Sequence, residues 1–528
     1  MFAGHILAQK KMLTNIIGAK CIGIEAVKVT VEVEIMPGTG IHLVGLADTA
    51  VKESLLRTIT ALQSLDFRIP GKKIIINLAP GDVHKNGSGY DLPIALGIIA
   101  SSGQAELPLL GRYLVMGELG LDGSIREIPE SLVFADLAMK LGLDGCILPQ
   151  RSALEASAFR ELNIFGVRSI ADVIRILSGA ECEDLLVWNS DEYGSLMSCR
   201  KVNPESAGYM DFSEIIGQDG AKRGVEIAAA GGHNLMLMGP PGAGKSSLVK
   251  AMAGILPPMT REEAMLTSKI YSAAGKEILK YGLIFERPVR SPHYSASLPA
   301  IIGGGNGDGV VPGEVSLAQN GILFLDEFNM MPKAVIEALR GPLEDRKVVI
   351  SRLKAKVEYP ASFILAAAAN PCPCGYYGED EKCTCTPVQR LNYFSRLSGP
   401  ILDRIDIQIF MHALDVKNVM HRQRGETSAA VLERVEAARA MQLKRFEGED
   451  ITTNAQMNNK MIEKYCPLSP ECHNVLGKIM ERMELSMRAY YRVVKVARTI
   501  ADLEGSAEID IKHLVEASSY RFLDKKIR

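Results

Sequence analysis

The sequence has almost no net charge. Its 528 residues hold 60 Lys and Arg against 62 Asp and Glu, formally −2. No global basic field exists to attract nucleic acid, so any DNA contact must come from a local patch or a pore. No apolar run approaches the ~20 residues that a membrane-crossing helix needs, and no membrane partner is expected. Met1 to Lys11 lacks the long apolar stretch of a secretory leader. The expected compartment is therefore a reducing cytoplasm, where the ten cysteines serve as thiols or metal ligands rather than disulfides. Internal repeats and low-complexity tracts are also missing. The remainder is ordinary for a globular chain, 47% hydrophobic and 23% charged, with length for about two to four domains.

Patterning predicts a mixed α/β region first. Val27, Val29, Val31, Val33 and Ile35 alternate as in a strand, whereas Val51, Leu55, Ile59 and Leu62 recur at helical spacing. Residues 73–78 read as a buried strand, 91–100 as an apolar helix, and Asp122-Gly123 as a hairpin turn. Helices are expected at 131–141 and 153–160, and strands at 145–148 and 164–167. This first domain spans 1–180. Residues 181–207, with the single Trp (Trp188), show no sustained period and read as a linker. A nucleotide-binding core is expected over 208–412, including a Cys-rich loop at 371–387. A helical tail over 413–528 follows, with long helical patterns at 428–445 and 474–504.

The chemistry is concentrated in the core. Gly239-Pro240-Pro241-Gly242-Ala243-Gly244-Lys245-Ser246 fits the phosphate-loop pattern GxxxxGK[ST] at every fixed position. Leu235–Met238 reads as the strand before it, and Ser247 lies in the opening turn of the helix after it. Such a turn aims several backbone N–H groups at one point, where the helix terminus adds positive charge. Lys245 is expected to reach the β/γ-phosphates of ATP, and Ser246 to take a Mg²⁺ position. The apolar run Ile322–Leu325 ends in Asp326 and Glu327. Asp326 suits the Mg²⁺ shell, and Glu327 suits orientation of the attacking water. A third apolar strand ends in Asn370, which fits a sensor of the γ-phosphate in ring ATPases of the AAA+ class. Arg396 and Arg404 follow it. Arg404 is preferred as a finger reaching a neighbouring subunit's ATP. The competing reading pairs it with Asp403 or Asp406. Arg488 opens a helical run and fits a second sensor, against a solvated helix arginine.

These motifs and their surroundings resemble the ComM/YifB family, the magnesium-chelatase-like AAA+ ATPases of bacteria. The resemblance rests on Arg290-Ser291-Pro292-His293, Gly303-Gly304-Gly305, Pro312-Gly313-Glu314-Val315-Ser316-Leu317-Ala318, Asn370-Pro371-Cys372-Pro373-Cys374-Gly375 and Ser398-Gly399-Pro400-Ile401-Leu402-Asp403-Arg404. Gly45–Ser54 and Asn77–Asp82 carry it into the first domain. It covers nearly the whole chain from about Met12, so residues 1–11 read as an extension or a start-site choice. The resemblance implies a Lon-protease-like N-terminal α/β domain (ribosomal S5 domain 2-like). It further implies a P-loop AAA+ α/β core of the helix-2-insert clade and an α-helical C-terminal lid, assembled as a homo-hexameric ring. It also implies ATP-driven work on branched, single- or double-stranded DNA: branch migration or helicase action in recombination, best known in natural transformation.

Three local readings accompany it. On the nucleophile loop of a Lon-like protease, Gly89 falls at the serine position, with Ser88 one residue early, and Phe134 at the lysine position. Phenylalanine cannot accept a proton, so a non-proteolytic scaffold is expected. Residues 345–358 read as a hairpin bearing Arg346, Lys347, Arg352, Lys354 and Lys356. Such a hairpin lines a central channel and follows a phosphate backbone, or is an ordinary charged surface. Cys372, Cys374, Cys383 and Cys385 form a CxC…CxC set. Four thiolates can close a structural Zn²⁺ site, and free thiols in a surface loop are the other reading. A protein-remodelling motor of the magnesium-chelatase type, without DNA activity, is the competing function.

Overall fold

A computed structural model gives the architecture. It describes residues 13–522 except 47, 86, 195–208, 277–282, 306–309, 352–355, 380–381, 398 and 414–424. The expectations for residues 1–11, for the second half of the linker and for Arg352 and Lys354 lie outside the described residues.

The N-terminal domain is built on a seven-stranded mixed sheet. Its strands are β1 (Thr14–Ile22), β2 (Glu25–Met36), β3 (Ile41–Val44), β4 (Lys73–Ala79), β5 (Tyr113–Val115), β6 (Gly145–Pro149) and β7 (Asn163–Val167), in the order β3-β4-β2-β1-β5-β6-β7. β1 and β2 pair antiparallel from Thr14↔Val33 to Ile22↔Glu25. The alternation along β2 sends Val29, Val31 and Val33 into the core. Helices α1 (Thr49–Ser64), α2 (Asp91–Ser101) and α3 (Ser131–Lys140) supply the rest of that core. Gly97 of α2 lies where a Cβ would stand 2.4 Å from a Val33 methyl, so glycine sets the helix-to-sheet approach.

In the loop expected to match a Lon nucleophile, no lysine is bonded to Ser88 among the described residues. Ser88 donates to the Glu118 carboxylate, and Phe134 is buried in α3. Beside them lies a cavity of about 510 Å³ whose lining includes Val357 and Tyr359 of the second domain.

The expected linker is partly domain. Residues 183–185 and 187–189 form short 3₁₀ turns, Val187 is buried, and Leu186 bridges to Phe165 of β7. The physical reason is hydrophobic: Leu185, Leu186, Val187 and Trp188 cover the first core without needing a helical or strand period.

The second domain is a five-stranded, all-parallel sheet: β8 (Leu235–Met238), β9 (Val289–Arg290), β10 (Ile322–Leu325), β11 (Ile364–Ala369) and β12 (Ile407–Phe410), ordered β9-β10-β11-β8-β12. Central β11 pairs with β8 at Leu235↔Ala366 and with β10 at Ile322↔Ile364. Both faces are covered. Leu235, Leu237, Ala366 and Ala368 enter one core, while Met236, Met238, Ala367 and Ala369 enter the other. This double burial explains why these strands read as unbroken apolar runs. Helices α4 (Asp219–Gly231), α5 (Lys245–Ala253) and α6 (Arg261–Ala273) belong to this domain. α6 also docks on the N-terminal domain, where Lys269 bonds Asp136 at 2.8 Å with both side chains about nine-tenths buried.

The tail is helical as expected, with α7 (Ser428–Arg445) matching the predicted span. The long pattern at 474–504 is two helices, α8 (Pro470–Met483) and α9 (Met487–Leu503). Glu484 takes φ +52° and ends α8, and the Ser486 hydroxyl caps the next helix by accepting from Ala489 N. Among the described residues no helix is long and apolar enough to cross a membrane.

Candidate nucleotide site

Three parallel strands deliver the chemistry to one sheet edge. β8 runs into the phosphate loop, β10 into Asp326-Glu327 and β11 into Asn370. The carboxyl ends of adjacent parallel strands are where open α/β sheets bind ligands.

The phosphate loop is held open by backbone geometry. Gly242 and Gly244 have φ of +79° and +89°, and a Cβ at either would meet nothing within 4 Å. α5 begins at Lys245, so its free N–H groups face the space that the loop encircles. The Lys245 ammonium is enclosed. It donates to Gly239 O at 2.7 Å, Pro240 O at 3.0 Å and Asn370 Oδ1 at 3.1 Å. Burial pushes its pKa down, and Asp326 opposes that push. Ser246 Oγ donates to Asp326 Oδ2 at 2.9 Å. A hydroxyl and a carboxylate in contact at the foot of a phosphate loop are hard-oxygen donors, the set Mg²⁺ prefers. The donors present therefore fit a Mg²⁺–nucleotide complex.

Glu327 is positioned by strain. Its φ is +49°, in the left-handed region that non-glycine residues rarely enter. The turn is secured by Glu327 N donating to Asp326 Oδ1 at 2.9 Å and by Met330 N donating to Glu327 O at 2.7 Å. The strand thus stops at Asp326, and the next carboxylate is swung out to an exposed position. Replacing Lys245 by Ala removes the cation that this loop has enclosed. At about 1.5–3 kcal/mol for hydrogen bonds to charged groups, ATP affinity should fall roughly tenfold to hundredfold. Titration with a fluorescent ATP analogue measures this, and unchanged affinity would remove Lys245 from the phosphate contacts.

Other expected residues are placed differently. Arg404 is about nine-tenths buried, donates to Pro400 O at 2.7 Å and is ion-paired with Glu344. Neither Asp403 nor Asp406 is its partner; Glu344, 60 residues earlier and more than half exposed, takes that place. Arg488 is exposed in the first turn of α9. Arg346 does not belong to the hairpin's outer face. It has φ +54°, and its guanidinium turns inward to Ser362 Oγ at 3.3 Å and Ala455 O at 3.4 Å. The hairpin itself pairs residues 347–351 with 356–360. Val348, Ile350, Val357 and Tyr359 face the core, which leaves Lys347 and Lys356 exposed; Lys347 pairs with Glu358 across the strands at 3.2 Å.

Two groups escaped the sequence reading. Gln218 Nε2 bonds His412 O at 2.8 Å and reaches Ala243 O of the phosphate loop at 3.4 Å. Its signal was Gly217-Gln218-Asp219 at a helix start. The other is a buried network below the sheet. Asp406 accepts from His233 Nδ1 and Asn234 N, both at 3.3 Å, and is ion-paired with Arg492 of α9. His233 Nε2 lies 2.8 Å from Thr499 Oγ1, also on α9. Asn234 holds the central strand through Leu365 N at 2.9 Å.

Comparison with known proteins matches nearly the whole chain. The family description "Magnesium chelatase, subunit ChlI" matches residues 211–419, "Subunit ChlI of Mg-chelatase" matches 31–152, and "Magnesium chelatase, subunit ChlI C-terminal" matches 425–521. Competence protein ComM of Haemophilus influenzae is 41% identical over 502 residues, covering 95% of this chain and 96% of that protein. YifB of Salmonella typhimurium is 39% identical over 507 residues, 96% of each. The chain belongs to the ComM/YifB family of magnesium-chelatase-like proteins. As a ComM/YifB protein it has an AAA+ α/β core, in which the phosphate loop, Asp326-Glu327 and Asn370 sit at one sheet edge.

Proposed function

We propose that this ComM/YifB protein is an ATP-hydrolysing subunit of a homo-hexameric ring that works on DNA, as a branch-migration helicase in recombination during natural transformation. The observation that carries the ATPase reading is the convergence of Lys245 on Asn370 and of Ser246 on Asp326. Within the loop Gly239–Ser247, the backbone N–H groups of Gly242, Gly244, Lys245, Ser246 and Ser247 cradle the phosphates. Ser246 and Asp326 hold Mg²⁺, whose charge neutralises the phosphate oxygens when bound. Glu327 orients and polarises the attacking water, and Asn370 fixes the position of Lys245 and of the terminal phosphate. Arg404 serves the neighbouring subunit's ATP after leaving Glu344, and Arg488 answers from the lid. The thiolates of Cys372, Cys374, Cys383 and Cys385 hold Zn²⁺.

The DNA reading is supported by the likeness to a competence protein and by the exposed lysines Lys347 and Lys356 on the hairpin. Replacing Lys354 and Lys356 by Ala should weaken DNA binding for every sequence and lower the slope of log K against log salt by roughly 1.4–1.8. Fluorescence anisotropy across a salt series measures it; an unchanged slope would take the hairpin off the DNA path.

The second reading is a protein-remodelling motor without DNA activity, favoured by the magnesium-chelatase subunit matches across all three regions. Steady-state ATP hydrolysis with and without a four-way DNA junction separates the two, with Glu327→Gln as the blank. Strong stimulation is expected. A rate indifferent to every DNA form would transfer the weight to the remodelling motor.

A further inference from the structure

The four-cysteine loop begins two residues after Asn370, and it leans on the phosphate loop. Cys372 Sγ lies 3.2 Å from Cys374 Sγ and 3.8 Å from Cys383 Sγ, and Cys374 Sγ lies 3.7 Å from Cys383 Sγ. All four Sγ atoms, Cys385 included, fall within 4.8 Å of one another. A tetrahedral zinc with Zn–S bonds of about 2.3 Å places its sulfurs about 3.8 Å apart. A disulfide needs about 2.05 Å, so the spacing is that of ligands and not of bonded pairs.

The loop between the cysteines is pressed against the ATP site at two points. Gly375 has φ +87°, and a Cβ there would stand 2.8 Å from Pro241 Cδ of the phosphate loop. Gly378 has φ +97°, and its Cβ would stand 2.9 Å from Phe410 Cζ at the end of β12. Ala413 N, just beyond that strand, donates to Glu379 Oε1 at 2.8 Å. Both ends are tied as well. Asn370 holds the entry through Lys245, and the exit runs straight into the helix Pro387–Phe394, where Thr386 and Gln389 form a reciprocal cap. A 14-residue excursion held in its middle by two glycine contacts and the one Glu379 hydrogen bond keeps freedom to drift. A tetrahedral ion at its centre removes that freedom.

We propose that the four-cysteine loop is a metal-dependent brace of the ATP site: Zn²⁺ bound by Cys372, Cys374, Cys383 and Cys385 fixes the loop that positions Pro241 and Asn370, so ATP turnover depends on metal occupancy. The proposal rests on the zinc and ATPase readings given above. Gly375 is a positioning residue in it, acting through Pro241.

The experiment uses the full-length protein. Zinc content is measured by mass spectrometry. The metal is then released with a mercurial reagent, the thiols are regenerated with dithiothreitol, and Mg²⁺ is kept in excess throughout. One zinc per chain is expected, with kcat falling at least tenfold on release and recovering on addition of Zn²⁺ but not of further Mg²⁺. Gly375→Ala separates the brace from the metal. It keeps all four thiols, so it should retain one zinc while losing at least fivefold in kcat. Full turnover in the stripped protein, or in zinc-loaded Gly375→Ala, overturns the brace and leaves the zinc reading standing. Protein purified without chelator that holds no zinc overturns both. Zinc-loaded protein with no turnover at all overturns the ATPase reading and the brace with it.

Discussion

Glu327→Gln is expected to bind ATP as tightly as the parent, within about threefold, and to lose turnover by about 10²–10⁴-fold. The amide keeps the size of the carboxylate and its left-handed backbone. It cannot draw a proton from water. Asp326, one residue earlier, contacts Ser246 and stays in place to hold the metal, so the ground-state complex should survive. Binding of a fluorescent ATP analogue and release of phosphate read the two properties separately. Normal phosphate release would move the water-orienting role elsewhere. A collapse of affinity would mean instead that Glu327 belongs with Asp326 in the metal shell.

Asp406→Ala should destabilise the protein by about 3–5 kcal/mol, the cost of leaving a buried ion pair half made. Asp406 is almost wholly buried, and its loss strands Arg492 and unfastens His233. Burial by itself would raise the Asp406 pKa, but Arg492 foremost holds its carboxyl far below the usual carboxylate range. Its native pKa is thus below the unfolded value, so the stability it contributes is fully present above about pH 4 and fades as pH falls lower. His233 adds to the same trend. Burial lowers its pKa although Asp406 opposes this, so the unfolded chain takes up a proton first, and stability begins to decline below about pH 6.5. Denaturant melts from pH 8 to pH 3 measure both effects. The parent should weaken in two stages, and Asp406→Ala should lose less stability over the lower one. A parent whose stability is flat across this range would refute the depressed Asp406 pKa.

The residues of the candidate nucleotide site could be picked out in the sequence because the chemistry expected of it demands fixed residue types at strand tips. Gly239–Ser246, Asp326-Glu327 and Asn370 each follow an apolar run of four residues or more, and local spacing suffices to find them. Asp406 and His233 were not legible. They stand 173 positions apart, and nothing local distinguishes Asp406 from the neighbouring Asp403. Arg346 misled for a related reason. Its neighbours Lys347 and Lys356 are exposed, but a positive φ turns its own side chain towards Ala455, far along the chain. The break at Glu484 was hidden because helical spacing runs on through both α8 and α9 and the turn between them holds no Gly or Pro. The docking of 183–189 had no period to read, since a short irregular segment buries apolar side chains wherever the surface accepts them.

The four alanines of β11 bear on how this site can vary. Ala366 to Ala369 point alternately to the two cores and are at most 2% exposed. They form the strand between the one that leads to Lys245 and the one that leads to Asp326. Small side chains on both faces bring the flanking layers close, so the spacing of the candidate-site groups is set by missing bulk. Drift towards Val or Leu here would wedge the layers apart and carry Asn370 away from Lys245 without touching either residue. The geometry of the candidate site is thus guarded by positions that lie outside it, and a survey of tolerated substitutions should find this plain stretch of methyl groups as unforgiving as the phosphate loop.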